Sequence, residues 1–148
     1  AACEQALPAD IAVCAAAVSD WRVAKEAASK LKKNGSAPPP LELTLNPDIL
    51  ATLSQSSNAR PTLVVGFAAE TDDVIAHAGK KLKSKGCDWI VANDVSPQTG
   101  TFGGTDNTVH LIMRDSIEDW PKMTKHAVAG KLALRIADVF QQPDTGEN

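Results

Sequence analysis

Three short, almost wholly apolar stretches dictate what this chain can become: residues 11–18 (IAVCAAAV), 62–68 (TLVVGFA) and 88–92 (DWIVA). Each suits a strand buried on both faces better than a helix of ordinary length. The segments between them read as helices. Residues 41–45 (LELTL) alternate like a further strand. Asn46 then reads as the cap of a helix, with Pro47 in its first turn, Asp48 complementing its dipole, and Leu50 and Leu53 on its apolar face. After the strand at 62–68, Thr71 or Asp72 caps a helix in which Val74, Ile75, Ala78 and Leu82 recur at helical spacing, and Gly86 ends it. Residues 108–114 (TVHLIMR) read as another strand. A last helix, from about 124 to 140, carries Val128, Leu132, Ile136, Val139 and Phe140 on one face. Residues 1–6 look like the tail of a helix stopped near Pro8, and 141–148 like a frayed polar end. The alternation predicts an α/β fold: a Rossmann-like, mostly parallel sheet with helices on both faces and a long flap loop at 19–40.

At 148 residues the chain is expected to form a single domain with a real core. A net charge of −3 argues against a nucleic-acid partner, which usually meets a basic face. Cys3, Cys14 and Cys87 are scattered and odd in number, as free thiols in a reducing compartment would be. No apolar run approaches the roughly 20 residues of a membrane span, and the first residues lack the order of a signal peptide. The expected location is cytoplasmic. A chain that opens on half a helix followed by a strand is expected to lack an earlier strand–helix segment.

Ligands of such sheets bind beyond the carboxyl ends of the strands. That rule marks residues 19–20, 67–71 and 93–94. The helix start at 47–50 offers free N–H groups to an anion, although most capped helices bind nothing. Lys81 and Lys85 lie one turn apart on one helix face, where they also suit the helix C-terminus as solvated charges. The flap carries Arg22, Lys25 and the run Lys30, Lys32, Lys33 before Asn34-Gly35-Ser36 and three prolines. A mobile lysine there can close over a polyphosphate, and the bland alternative is a solvated basic loop. Asp20 could hold a metal or a sugar hydroxyl, or cap a turn. The glycine loop at 102–105 matches no phosphate-binding signature. His77, His110 and His126 show no ligand spacing, and Cys14 reads as a small core residue rather than a nucleophile.

Six stretches, in order and with family spacing over roughly 100 residues, give these features a collective meaning. They are AAAVSDWRV at 15–23, KLKK at 30–33, LNPDIL at 45–50, VGFAAET at 65–71, KLKSKGCDWIVANDV at 81–95 and FGGTDNTVHLI at 102–112. Together they resemble the phosphopantothenoylcysteine synthetase (phosphopantothenate–cysteine ligase) family, usually the second half of a bacterial bifunctional coenzyme A protein. The resemblance implies a CTP-dependent ligation of 4′-phosphopantothenate with L-cysteine through an acyl-cytidylate, with Mg2+ on the phosphates and no flavin in this domain. It also implies a homodimer, usually fused to a phosphopantothenoylcysteine decarboxylase domain. Carried over residue by residue, the nucleotide contacts are Cys14, Ala15, Ala16, Asp20, Lys30, Pro47, Asp48, Ile49, Leu50, Phe67, Lys81 and Lys85. Lys30 is the catalytic candidate, and the role of Asn93 in the AND motif stays open. The family's glycine-rich N-terminal segment has no counterpart here, which implies an N-terminally truncated domain.

Two other classes fit the residues alone. One is a nicotinamide-binding reductase module, which the fold would suit although no G-x-G-x-x-G turn is present. The other is a non-catalytic dimerisation module pairing two copies through the strand at 108–114.

Overall fold

The computed structural model describes residues 2–16, 18–27, 29, 40–97, 99 and 103–141. In chain order the elements are α1 (Ala2–Gln5), β1 (Ile11–Cys14), β2 (Trp21–Val23), β3 (Leu43–Leu45), α2 (Ile49–Ser54), β4 (Leu63–Glu70), α3 (Val74–Lys85), β5 (Trp89–Asp94), β6 (Asp106–Met113), β7 (Ile117–Thr124) and α4 (Lys125–Gln141). The main sheet has five strands in the order β1-β4-β5-β6-β7. β1, β4 and β5 are mutually parallel, β6 reverses, and β7 reverses again. Only β6 runs against the rest, which is the mostly parallel α/β sheet expected.

Strand alternation divides the apolar side chains between two cores. Val64, Ala68, Ile90 and Ala92 face α2 and α3 through Leu50, Ala78 and Leu82. Leu63, Val65, Trp89, Val91, Val109 and Leu111 face α4 through Val128 and Leu132. Helices therefore cover both faces. Val64, Val65, Ile90 and Val91 are fully buried, each such side chain contributing about 1.5–3 kcal/mol by leaving water. A polar clasp locks the strand starts together. Arg60 meets both Asp88 carboxylate oxygens at 2.9 Å. The Val64 N–H donates to the same carboxylate at 2.7 Å, and Arg60 Nε donates to the Ser54 carbonyl at 2.7 Å.

Several expectations need correction. The stretch 11–18 forms a strand only to Cys14 and is not buried on both faces: Ile11 is 38% and Val13 46% exposed. The reason is position, because β1 pairs with β4 alone and forms an edge of the sheet. The alternating stretch 41–45 does not join the main sheet. Its β3 pairs antiparallel with β2, at the start of the flap, as a two-stranded ribbon. β7 was not anticipated, since IEDWPKMT contains Pro121 and few apolar residues; a register shift against β6 accommodates it at the sheet edge. β6 is consequently flanked on both sides, so the strand at 108–114 has no free edge for a second copy.

The caps also differ. Asp48, not Asn46, caps α2, its side chain accepting from the Ala51 N–H. At α3 the cap is Asp73, in a left-handed conformation with φ 40°, rather than Thr71 or Asp72. Gly86 ends α3 as expected, at φ 70°. The KLKK run at 30–33, Phe102 and the tail after 141 lie outside the described residues.

Candidate functional site

An open cleft of about 750 Å³ lies beyond the carboxyl end of β1. Its walls come from stretches far apart in sequence: Cys14, Ala15, Ala16 and Asp20 after β1, Pro47 to Leu50 at the start of α2, Phe67 on β4, and Lys81 and Lys85 on α3. Every expected nucleotide contact that falls on a described residue lines this cleft; Lys30 lies outside the described residues. A second cleft, of about 680 Å³ at the opposite end of β5, contains none of them.

The topology explains the convergence. Parallel pairing of β1 with β4 puts Cys14 beside Gly66 and sends both following loops to the same rim. Gly66 then lets α2 come close, for a Cβ there would stand 2.5 Å from Leu50 Cδ2. The start of α2 is thereby held over the strand ends. With six residues, α2 supplies local N–H groups rather than a macrodipole.

Asp48 does two things at once. One carboxylate oxygen accepts the Ala51 N–H at 3.0 Å, capping α2, and the other receives the Lys85 ammonium. Burial alone would raise this carboxyl. The hydrogen bonds from Lys85 and the Ala51 N–H, with the charges of Lys85 and Lys81, outweigh it and hold the group below its ordinary value. Lys85 is thus partnered inside the chain. Lys81, one turn earlier and half-buried, makes no ion pair among the described residues and is left to face the cleft. Asp20 is exposed, and its carboxylate likewise has no protein partner there.

A second polar knot joins the walls. Asn46 donates from its side chain to the Ser19 carbonyl at 2.7 Å and from its backbone to the Asp20 carbonyl at 2.8 Å. Arg22 donates to the Leu45 carbonyl at 2.9 Å and to Asn46 Oδ1 at 3.2 Å. The loop carrying Asp20 is therefore tied to the segment entering α2. In the sequence Asn46 reads as a helix cap and Arg22 as part of the basic flap, and no local signal announces a contact across 24 residues. Trp21 belongs to the stretch at 15–23, but no local signal marks its side chain as part of a site. It is 55% exposed and, with its cross-strand partner Leu45, adds an apolar wall to the cleft.

Phe67 lines the cleft while packing against the second core. Burial, then the neighbouring Cys3 thiol, push Cys14 above its ordinary value, so it stays a neutral thiol and a lining residue. Among the described residues no group of three or more histidine, cysteine or acidic side chains could hold a metal by itself, and no helix is long and apolar enough to cross a membrane.

A mixed, mostly parallel sheet with helices on both faces and a cleft at its carboxyl rim, lined by a helix start and by a lysine without an ion pair among the described residues, defines an α/β domain of Rossmann-like form. The comparisons narrow this class. The family model described as "DNA/pantothenate metabolism flavoprotein C-terminal domain" matches residues 1–140, and the chain belongs to that family. It is 38% identical over 133 residues to the coenzyme A biosynthesis bifunctional protein CoaBC of Vibrio vulnificus (strain YJ016), covering 89% of this chain and 33% of that protein. It is 38% identical over 140 residues to CoaBC of Mycobacterium bovis (strain ATCC BAA-935 / AF2122/97), covering 89% of this chain and 32% of that one. The chain therefore spans about a third of the length of these relatives. The crystal structure of the C-terminal domain of a CoaBC protein superposes with a TM-score of 0.69 at 28% identity, covering 94% of this chain and 59% of that one.

Proposed function

We propose that this chain is the CTP-using part of a phosphopantothenate–cysteine ligase. Its relatives, named as coenzyme A biosynthesis proteins, support a role in that pathway. The observation that carries the finer reading is the meeting of Cys14, Asp20, Pro47, Phe67 and Lys81, from separate stretches of chain, in one cleft of about 750 Å³. That volume suits a nucleotide-sized ligand.

In this reading a carboxylate oxygen of 4′-phosphopantothenate attacks the α-phosphorus of CTP. An acyl-cytidylate forms and pyrophosphate leaves. The amine of L-cysteine then attacks the acyl carbon, the carbon–oxygen bond to CMP breaks, and the amine gives up a proton. Neither step needs a protein nucleophile. Both need alignment and positive charge around the phosphates. Lys81 supplies charge from the cleft wall, the start of α2 supplies N–H groups, and Phe67 packs near the base. Lys85 orients Asp48 and reaches phosphate only by leaving that carboxylate. Lys30 is the proposed catalytic lysine, closing from the flap onto charge that develops in the reaction.

Magnesium suits this site as an ion carried mainly by the triphosphate, because such ions commonly meet protein through one or two carboxylates. Asp20 is the residue that would hold it, and the ion would offset phosphate charge. The bifunctional relatives support a protein that also carries a decarboxylase domain, and the family likeness supports a homodimer.

The test is turnover by the intact protein carrying this chain. With CTP, 4′-phosphopantothenate and cysteine, it should release one pyrophosphate per amide formed. A folded protein that releases none contradicts the proposal. Lys30→Ala should lower turnover at least ~10-fold without changing the melting temperature.

A further inference from the structure

Asn46 stands on the cleft wall, yet its polar groups are turned into the chain. Its side-chain Nδ2 donates to the Ser19 carbonyl at 2.7 Å, and its Oδ1 accepts from Arg22 at 3.2 Å. Its backbone N–H donates to the Asp20 carbonyl at 2.8 Å. Arg22 in turn donates to the Leu45 carbonyl at 2.9 Å. The pairing explains the residue type. A carbonyl on one side needs a donor, and a guanidinium on the other needs an acceptor. A short side-chain amide supplies both at once.

Pro47 stiffens the tie. A residue before proline is confined largely to extended backbone, so Asn46 has little freedom. Asp48, the cap of α2, follows two residues later. A bond made at Asn46 is therefore felt at the start of α2.

The tie joins two different walls. One carries Ala15, Ala16 and Asp20, after β1; the other is the start of α2, with Lys81 from α3. The first wall has few other anchors. Its loop runs into β2, which pairs with β3, and no other helix or strand among the described residues packs on that ribbon. Segments held so sparsely open easily. The bonds at Asn46 thus decide how far apart the walls stand.

We propose that Asn46, braced by Arg22, is a positioning residue of the nucleotide cleft. It sets the spacing between the Asp20 loop and the start of α2, so that one nucleotide–magnesium ligand meets both walls. This rests on the ligase reading, in which the triphosphate takes Lys81 and the N–H groups of α2 while Asp20 takes the ion. A ligand held by two walls gains from their fixed separation, and a ligand held by one does not.

The test compares two probes on the intact protein carrying this chain. CTP with magnesium needs both walls; inorganic tripolyphosphate without metal needs only the α2 wall. Asn46→Ala removes both side-chain bonds and keeps the backbone one. It should weaken binding of CTP with magnesium at least ~5-fold and leave tripolyphosphate within ~2-fold of the wild type. Arg22→Met removes only the brace. It should shift the ratio of the two affinities in the same direction by less, and add little on top of Asn46→Ala. Should Asn46→Ala fail to fold, the ratio in Arg22→Met, an exposed position, decides alone.

Equal weakening of both probes overturns the proposal, since general loosening of the fold does that. So does an unchanged ratio, or a wild type that binds CTP but not tripolyphosphate. In each of these cases only this inference fails; a wild type silent to CTP overturns the ligase reading as well.

Discussion

The Lys85 ammonium rests on the Asp48 carboxylate, 37 residues away in sequence, and joins the end of α3 to the start of α2 across the floor of the cleft. Lys81, one turn earlier on the same helix, has no such partner among the described residues. Two lysines that look equivalent in the sequence are therefore predicted to behave differently. Lys85→Ala should cost up to about 1 kcal/mol of stability, the range of partly exposed ion pairs. Lys81→Ala should cost less stability than Lys85→Ala, because its charge is the smallest of the effects on Asp48, and should weaken nucleotide binding. Urea midpoints beside CTP titrations of both variants check the split.

The same pair sets a pH dependence. The Asp48 carboxyl lies below its ordinary value of 3.8 in the folded chain, because the hydrogen bonds of Lys85 and the Ala51 N–H overcome its burial. A depressed folded value means stability that is fully present above the unfolded value and is lost as pH falls through the folded one. The melting-temperature advantage of the wild type over Asp48→Asn should be constant above about pH 5 and shrink on further acidification. An advantage that grows toward acid pH contradicts this assignment.

Gly66 is predicted to be irreplaceable for a reason of space. A Cβ there would meet Leu50 at 2.5 Å and Ile90 at 2.9 Å, both well buried. Gly66→Ala should cost about 1–3 kcal/mol by overpacking. Leu50→Ala in the same chain should recover part of that loss, so the double variant should be less destabilised than the sum of the singles. Chemical denaturation of the four proteins measures the coupling.

Arg60 Nη2 meets both oxygens of Asp88, which also accepts the Val64 N–H, while Nε and Nη1 of the same guanidinium donate to the Ser54 and Pro61 carbonyls. Arg60→Ala should destabilise the fold by about 2–3 kcal/mol. Arg60→Lys should recover little, since an ammonium cannot reproduce the planar fork. A lysine variant as stable as the wild type, judged by its urea midpoint, would contradict this.

How much was legible follows from which contacts are local. β4 and β5 were readable because strands covered on both faces must be apolar at nearly every position. Gly86 and the buried part of each helix face, Ala78 and Leu82 on α3 and Val128 and Leu132 on α4, were readable because helical periodicity and termination are encoded within one or two turns. Ile75, Val139 and Phe140, expected on the same faces, are exposed. β7 was not, since an edge strand with Pro121 needs only one apolar face and looks like a loop. The β2–β3 ribbon was missed because the pairing of Trp21 with Leu45 spans the whole flap. At the site, the loop after β1, the start of α2, Phe67 and Lys81 were legible as an ordered set of motifs. The Asp48–Lys85 pair and the Asn46–Arg22 knot were not, because they exist only once distant segments are folded together.

The central claim, that the cleft at the carboxyl rim is a triphosphate site, is tested most directly by titrating the chain with CTP and magnesium, with ATP as competitor. The account predicts saturable binding of CTP in preference to ATP, weakened at least ~10-fold by Lys81→Ala. Absence of CTP binding by the folded chain, or binding that Lys81→Ala leaves untouched, would contradict it.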